Sequence, residues 1–315
     1  MRRNAFVSAL GALAAAGYPA AARPAAPVVV RAAATLDDDA VPYIYAMQSG
    51  LFAKYGIDAS LTKAQNGASI AAGVLGGSLE IGKSGVTTLA AAHARGLPLT
   101  WIAPAGEYDS SLPGTVALVV ALDSPLKSGA DINGKTIGVS GINDVFSLGV
   151  RAWVDKHGGD SSTLKLTEIP MSASGLAAET GRVDVAVVIE PFLQIALAGG
   201  KVRSIGDPIS GIANHFMQSC WFTSLDFAAK NPAVVEGFIR AIREGATYGN
   251  SHHPETAVML EKFLNIDTPP TVRIPLGVRF NPAQMQSVVD LQVRYKMLPA
   301  AFDVHEVIYP AALRA

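Results

Sequence analysis

A single cysteine in 315 residues, Cys220, leaves this chain without the means to form an intramolecular disulfide. Its stability has to come from an apolar core, and a chain of this length buries enough surface to do without cross-links. Cys220 stands in the apolar run "FMQSCWFTS", with no basic residue or His beside it to favour a thiolate, so it reads as a packing residue. Charge is scarce as well. Charged residues make up 16% of the chain and the formal net charge is −1, with no block of Lys and Arg. That argues against nucleic acid or an anionic membrane surface as a partner. Zinc-type Cys/His spacing, a Walker-type phosphate loop, a G-x-S-x-G elbow and an H-E-x-x-H pair are all missing. The six histidines sit in helix ends, in loops or near apolar runs, and they do not assemble with serines into a catalytic set. Glu107 and Asp109 are close in sequence, but nothing around them separates an acid from a base. The chain is expected to bind rather than to catalyse, with no cofactor and no metal.

The N-terminus reads as a targeting segment. Arg2 and Arg3 precede an apolar run from Ala5 to Gly17, and Ala20 and Ala22 fit an A-x-A cleavage site. The run is shorter than the ~20 residues of a spanning helix. An export signal over residues 1–22 is therefore expected, with a mature chain starting near Arg23 in the periplasm. The paired arginines suit twin-arginine export, but the rest of that motif is poor and the Sec route fits equally well. No Cys ends the segment, which excludes a lipoprotein anchor. Loss of Arg2 and Arg3 takes the formal charge from −1 to −3.

What the chain has in quantity is apolar residues, 50%, and 30 glycines that punctuate them. "PVVVRAAA" reads as a first, buried strand. An apolar helix from Pro42 to Phe52 follows, then the strand "IDASLTKA", a helix from Ala68 to Leu75 stopped at Gly76-Gly77, and the short strand "LEIGKSG". A helix from Val86 to Arg95 ends at Gly96 and Pro98, ahead of the strand "PLTWIAPAG". Such alternation calls for a parallel sheet. The stretch "PAGEYDSSLPG" marks a first crossing into a second α/β lobe, whose strands are "TVALVVAL", "TIGVSG", "LKLTEIP" and "DVAVVIEP". From Gly206 the chain returns, with a strand "MQSCWFTS" and three helices. Two of these open with Asn-Pro, at Asn231 and Asn281.

The ordered set "AMQSGLFAKYGIDASL", "NGASIAAGVLGGSLEIG", "AAHARGLPLTWIA" and "GRVDVAVVIEP" resembles the substrate-binding proteins of bacterial ABC importers, in the group that takes nitrate, sulfonates, taurine and thiamine pyrimidines. The resemblance implies an α/β type II periplasmic binding protein fold, two Rossmann-like lobes around a cleft with C-terminal helices. Residues 23–110 and 206–315 are expected to form lobe 1 and residues 111–205 lobe 2. It also implies a small-molecule ligand, an inner-membrane ABC permease as partner, and a monomer. A periplasmic sensor for a membrane receptor is the alternative in another class. A pyrimidine-synthase-like enzyme shares the fold, but its cysteine-rich motif is absent here.

Ligands of open α/β sheets sit beyond the carboxyl ends of strands, where loops lead into helix N-termini. That rule selects Thr35 to Ala40, Gln65 to Ala68, Lys83 to Thr87 and Ala105 to Ser111. The candidate contacts there are Thr35, Asp37, Asp38, Asn66, Gly67, Lys83, Ser84, Gly85, Glu107 and Tyr108. The triplet Asp37, Asp38, Asp39 either caps the Pro42 helix or places one acid on the ligand. For the second lobe the resemblance implies Ser140, Gly141, Ile142 and Asn143 with their backbone N–H groups facing the cleft, and Glu190, which contacts ligand or only fixes the next helix. Tyr43, Trp101 and Tyr108 are candidates for stacking on a planar ligand. The loops hold no arginine to neutralise an oxyanion, and their acids favour a ligand with donors, such as an aminopyrimidine.

Overall fold

The computed structural model describes residues 26–35, 37–64, 66–265 and 272–314; the expected export segment and Gln65 lie outside them. The first strand, β1 (Val28–Ala34), is followed by α1 (Val41–Gln48) and α2 (Leu51–Lys54). The helix expected over Pro42 to Phe52 is thus two, because Gly50 adopts φ 78°, a left-handed conformation that interrupts the ladder. Next come β2 (Ile57–Lys63), α3 (Gly67–Leu75), β3 (Ile81–Gly85), α4 (Val86–Ala94) and β4 (Leu99–Pro104). A short strand, β5 (Glu107–Asp109), then leaves this sheet.

A second sheet is built from β6 (Val116–Ala121), β7 (Thr136–Val139), β8 (Lys165–Glu168), β9 (Val185–Ile189) and β10 (Val202–Gly206). Its helices are α5 (Val145–Lys156), α6 (Met171–Glu179) and α7 (Phe192–Ala198). The return segment expected to be one strand is two, β11 (His215–Met217) and β12 (Ser219–Ser224), divided at Gln218. The backbone of Gln218 explains the division: its N–H donates to Gly106 and its carbonyl accepts from Val86. The chain ends with α8 (Leu225–Lys230), α9 (Pro232–Ser251), α10 (His253–Leu264), α11 (Pro282–Arg294) and α12 (Pro310–Arg314). Asn231 and Asn281 stand at the N-caps of α9 and α11, but neither side chain makes a capping hydrogen bond.

The first sheet runs β2-β1-β3-β12-β4 and the second β10-β6-β9-β7-β8. Both are mixed, not parallel throughout. β12 enters the first sheet antiparallel to β3 and β4 because it arrives from the other lobe, and in the second sheet β6 is antiparallel to β9 and β10. A two-stranded ribbon, β5 with β11, joins the lobes, with Tyr108 opposite Phe216. Cys220, on the interior strand β12, is fully buried, and burial pushes its thiol well above the ordinary value. Tyr43 and Trp101 are also core residues. Tyr43 stacks on Trp221 at 4.9 Å and donates its hydroxyl to the Ser60 carbonyl, so neither ring is available to a ligand. Among the described residues no helix is long and apolar enough to cross a membrane.

Candidate functional site

The carboxyl ends of β1 and β3 in one lobe face those of β7 and β9 in the other across a cavity of about 520 Å³. This volume falls in the range of small-molecule pockets. Of the residues expected at a ligand, Thr35, Asp37, Asp38, Asn66, Gly67, Lys83, Ser84, Gly85, Ser140, Gly141, Asn143 and Glu190 line it. Glu107 and Tyr108 are not among its lining residues. β5 carries them into the crossing ribbon, where the Tyr108 hydroxyl donates to Asp207 at 2.8 Å. Burial lifts the half-buried carboxyl of Glu107, whose side chain lies beside Gly277.

The three aspartates form the floor of the site, and they do not cap α1. Its N-cap is Ala40, and Asp37, which precedes the short 3-10 turn at Asp38–Ala40, makes no capping bond there. Instead Lys83, fully buried on β3, donates its ammonium to both Asp37 and Asp39. Asp39 also accepts from Ser219. Asp38 accepts from the guanidinium of Arg273 and, at 2.7 Å, from the backbone N–H of Ile274. Burial draws the Lys83 ammonium down and lifts the Asp38 carboxyl, while the neighbouring opposite charges pull each of them back. Three carboxylates thus meet two cations, and Lys83 has no charge left over for an anion. Arg273 escaped the sequence reading because its partner stands more than two hundred positions earlier in the chain.

Helix N-termini converge on the cavity, and in α3 and α5 one first-turn donor is taken by a capping side chain. The Asn66 side chain accepts from Ser69 N–H at 3.0 Å, and Asp144 accepts from Ser147 N–H at 2.8 Å. The Ser140 hydroxyl also donates to Asp144. Burial pushes the Asp144 carboxyl up to about 6, against these hydrogen bonds. The Ile142 N–H, expected to face a ligand, donates to Glu168 at 3.2 Å. Gly141 does not have a positive φ, and the nearest atoms to a Cβ there would be those of the Asp144 side chain, at 3.3 to 3.5 Å. Asn143 is exposed on the rim. Glu190 fixes the next helix and also faces the cavity. It lines the cavity at 7% exposure, and it accepts from the N–H of Gln194 at 3.2 Å in α7. Burial lifts its carboxyl above the ordinary range.

One hydroxyl stands out. Ser84 is 3% exposed and lines the cavity, and its Oγ has no hydrogen-bond partner among the described residues. A buried hydroxyl without a partner is costly, which makes it a candidate for a ligand contact. Gly67 makes room for it, since a Cβ at that position would collide with Ser84 Oγ. Asp39, Asp144, Glu168, Gln218 and Arg95 also line the cavity, with Thr88, Thr115 and Ser219, and were not selected from the sequence as site residues. Asp39 and Asp144 do stand beside residues that were. Among the described residues no group of three or more His, Cys, Asp or Glu is arranged to hold a metal ion.

Comparison with known proteins places this geometry. In solved structures the chain is similar to the periplasmic aliphatic sulphonate binding protein SsuA from Escherichia coli, with a TM-score of 0.73 and 20% identity over 92% of this chain and 100% of that one. It is similar to the periplasmic nitrate-binding protein NrtA from Synechocystis PCC 6803, with a TM-score of 0.72 and 14% identity over 91% and 88%. Among curated sequences, a 4-amino-5-hydroxymethyl-2-methylpyrimidine phosphate synthase of Legionella pneumophila is 26% identical over 228 residues, 70% of this chain and 67% of that one. The fold is that of the periplasmic binding proteins, as the sequence motifs imply. The profile described as NMT1/THI5 like matches residues 38–257, and the chain belongs to that family.

Proposed function

We propose that this protein is the exported solute-binding component of an ABC importer, and that its ligand is a small heterocycle rich in N–H donors, of the aminopyrimidine kind. The charge balance of the cavity carries this reading. Lys83 is committed to Asp37 and Asp39, while Glu190 and Asp144 present carboxyls to the space with no cation beside them. An oxyanion placed there meets acids at close range and no free ammonium, a repulsion that low-dielectric surroundings strengthen. An amino group or a protonated ring nitrogen meets acceptors instead. Ligand contacts made to both lobes only when they are closed stabilise closure by the difference in affinity between the two states.

Kinship with the sulphonate-binding SsuA favours a second ligand class, for which Ser84 Oγ and the amide at Gly67 would be the donors. A thermal-shift screen over aminopyrimidines, alkanesulfonates, nitrate and aromatic acids separates the two, because a ligand that binds only the native state raises stability by RT ln(1 + [L]/Kd). A shift with aminopyrimidines alone is expected. A shift confined to sulfonates overturns the donor-ligand reading and leaves the solute-binding one standing. Steady turnover of any of these compounds would replace both with an enzyme.

A further inference from the structure

The cavity does not stop at the acids. It continues between α3 and α4, which pack side by side. The stripe from Ala68 through Ala72 to Leu75 on α3 and the stripe from Thr88 through Ala91 to Arg95 on α4 both line it. Within each stripe the lining positions recur at helical i, i+3, i+4, i+7 spacing, so each is one continuous face. Small side chains on the two faces leave the space between them unfilled, and the buried, unpartnered Ser84 hydroxyl stands at their inner end. Gly67 to Leu75 corresponds to about 12 Å at 1.5 Å per residue. The outer end is different in kind: Leu75 is 37% exposed, and Arg95 is exposed, its guanidinium making no hydrogen bond or ion pair among the described residues. Lys83 is the other basic residue of the lining, and it is already neutralised.

We infer that this groove is a second subsite, which takes an apolar arm of the ligand ended by an acidic group that reaches Arg95. The ligand is then an extended molecule with its donor head on the acids, a hydrocarbon middle between α3 and α4, and an anionic tail at the rim. The inference rests on the solute-binding reading of the cavity but not on which head group binds.

Two probe series test it by calorimetric titration of the full chain: 4-aminopyrimidines and alkanesulfonates, each carrying an alkyl arm of increasing length ended by a methyl or a carboxylate. In the series whose head binds, each methylene entering the groove is expected to tighten binding about two- to fourfold, the upper value being full burial at ~0.8 kcal/mol. The gain ends when the arm spans the groove. A carboxylate end is expected to bind roughly fivefold tighter than a methyl end, and Arg95→Gln abolishes that difference. Ala72→Leu, a substitution on the exposed side of α3, fills the groove and lowers the ratio of long-arm to short-arm affinity. Affinity independent of arm length in both series overturns the subsite, as does a length dependence that Ala72→Leu leaves unchanged. Which head binds decides the ligand class separately.

Discussion

Ser84 sets stability against binding within one side chain. Its hydroxyl is buried, lines the cavity and lacks a partner, so in the empty protein it carries a desolvation cost of about 1–3 kcal/mol. Ser84→Ala is expected to raise the melting temperature of the unliganded protein and to weaken ligand binding about tenfold, measured by thermal denaturation and calorimetry. Wild-type affinity in that variant would show that the hydroxyl is not directed at ligand. Asp144 gives a second test, through pH. Its folded value of about 6 lies above the ordinary carboxylate value near 3.9, so between these limits the native state binds the proton more tightly than the unfolded chain. The contribution of Asp144 is therefore most favourable below about pH 4, falls as pH rises, and levels off above about pH 6. Asp144→Asn keeps an acceptor for Ser147 N–H without the charge. Urea unfolding should find the variant more stable than wild type at pH 7, with the gap closing toward pH 4. A gap that widens on acidification would mean that the carboxylate, not the acid, is the favoured buried form.

At the scale of elements, most boundaries followed from glycine stops and apolar runs, and the misses have physical causes. Gly50 sits in an otherwise helical pattern, and only its left-handed φ reveals two helices where the pattern shows one. The division at Gln218 and the antiparallel entry of β12 come from pairing with distant strands, which a local pattern does not register. In the site, the strand-end rule brought three of its four loops to the cavity because it concerns topology, and Ala105 to Ser111 lies off it. It did not locate the Arg273–Asp38 pair, the Glu168 acceptor or the commitment of Lys83, all of which are contacts between remote segments. Capping, one of the two roles open to the aspartates, follows from their place before a helix, and the buried ammonium across the sheet outcompetes that local use. What holds the acid loop in place is the packing of α1 on α9, where Gly245 lets the helices approach until a Cβ would strike the Pro42 carbonyl. Gly245→Ala is expected to cost about 1–3 kcal/mol of stability through overpacking and to weaken ligand binding as α1 shifts the aspartates. Chemical denaturation and titration of the same preparation check both effects. An unchanged midpoint would show that α9 yields freely.

For the molecule as a whole, the two lobes are joined by a narrow ribbon and carry the two walls of the cavity, so their relative position controls binding. A polar contact bridges them away from the cavity: the Tyr295 hydroxyl, following α11, donates to Asp155 of α5 at 2.9 Å. The same Asp155 accepts from Ser161 N–H at 2.8 Å, which fixes the acceptor within its own lobe. The nearby carboxylate and partial burial hold the Tyr295 phenol up to about 12, with burial the larger cause, so the donor stays protonated across the physiological range. If the bond forms only when the lobes are together, it biases the empty protein toward closure, and ligand has less of that equilibrium to shift. A hydrogen bond to a charged acceptor at a partly exposed site is worth about 1 kcal/mol. Tyr295→Phe removes it while keeping the ring, so the closed-to-open ratio falls roughly fivefold. Ligand affinity is then expected to fall by about two- to threefold where the empty wild type is largely closed, while the radius of gyration of the unliganded protein in small-angle X-ray scattering rises toward that of an open form. Saturating ligand should bring the variant and the wild type to one common radius. Equal affinity and equal unliganded radius in both proteins would place the bond among those kept in both states, and closure would then rest on ligand contacts alone.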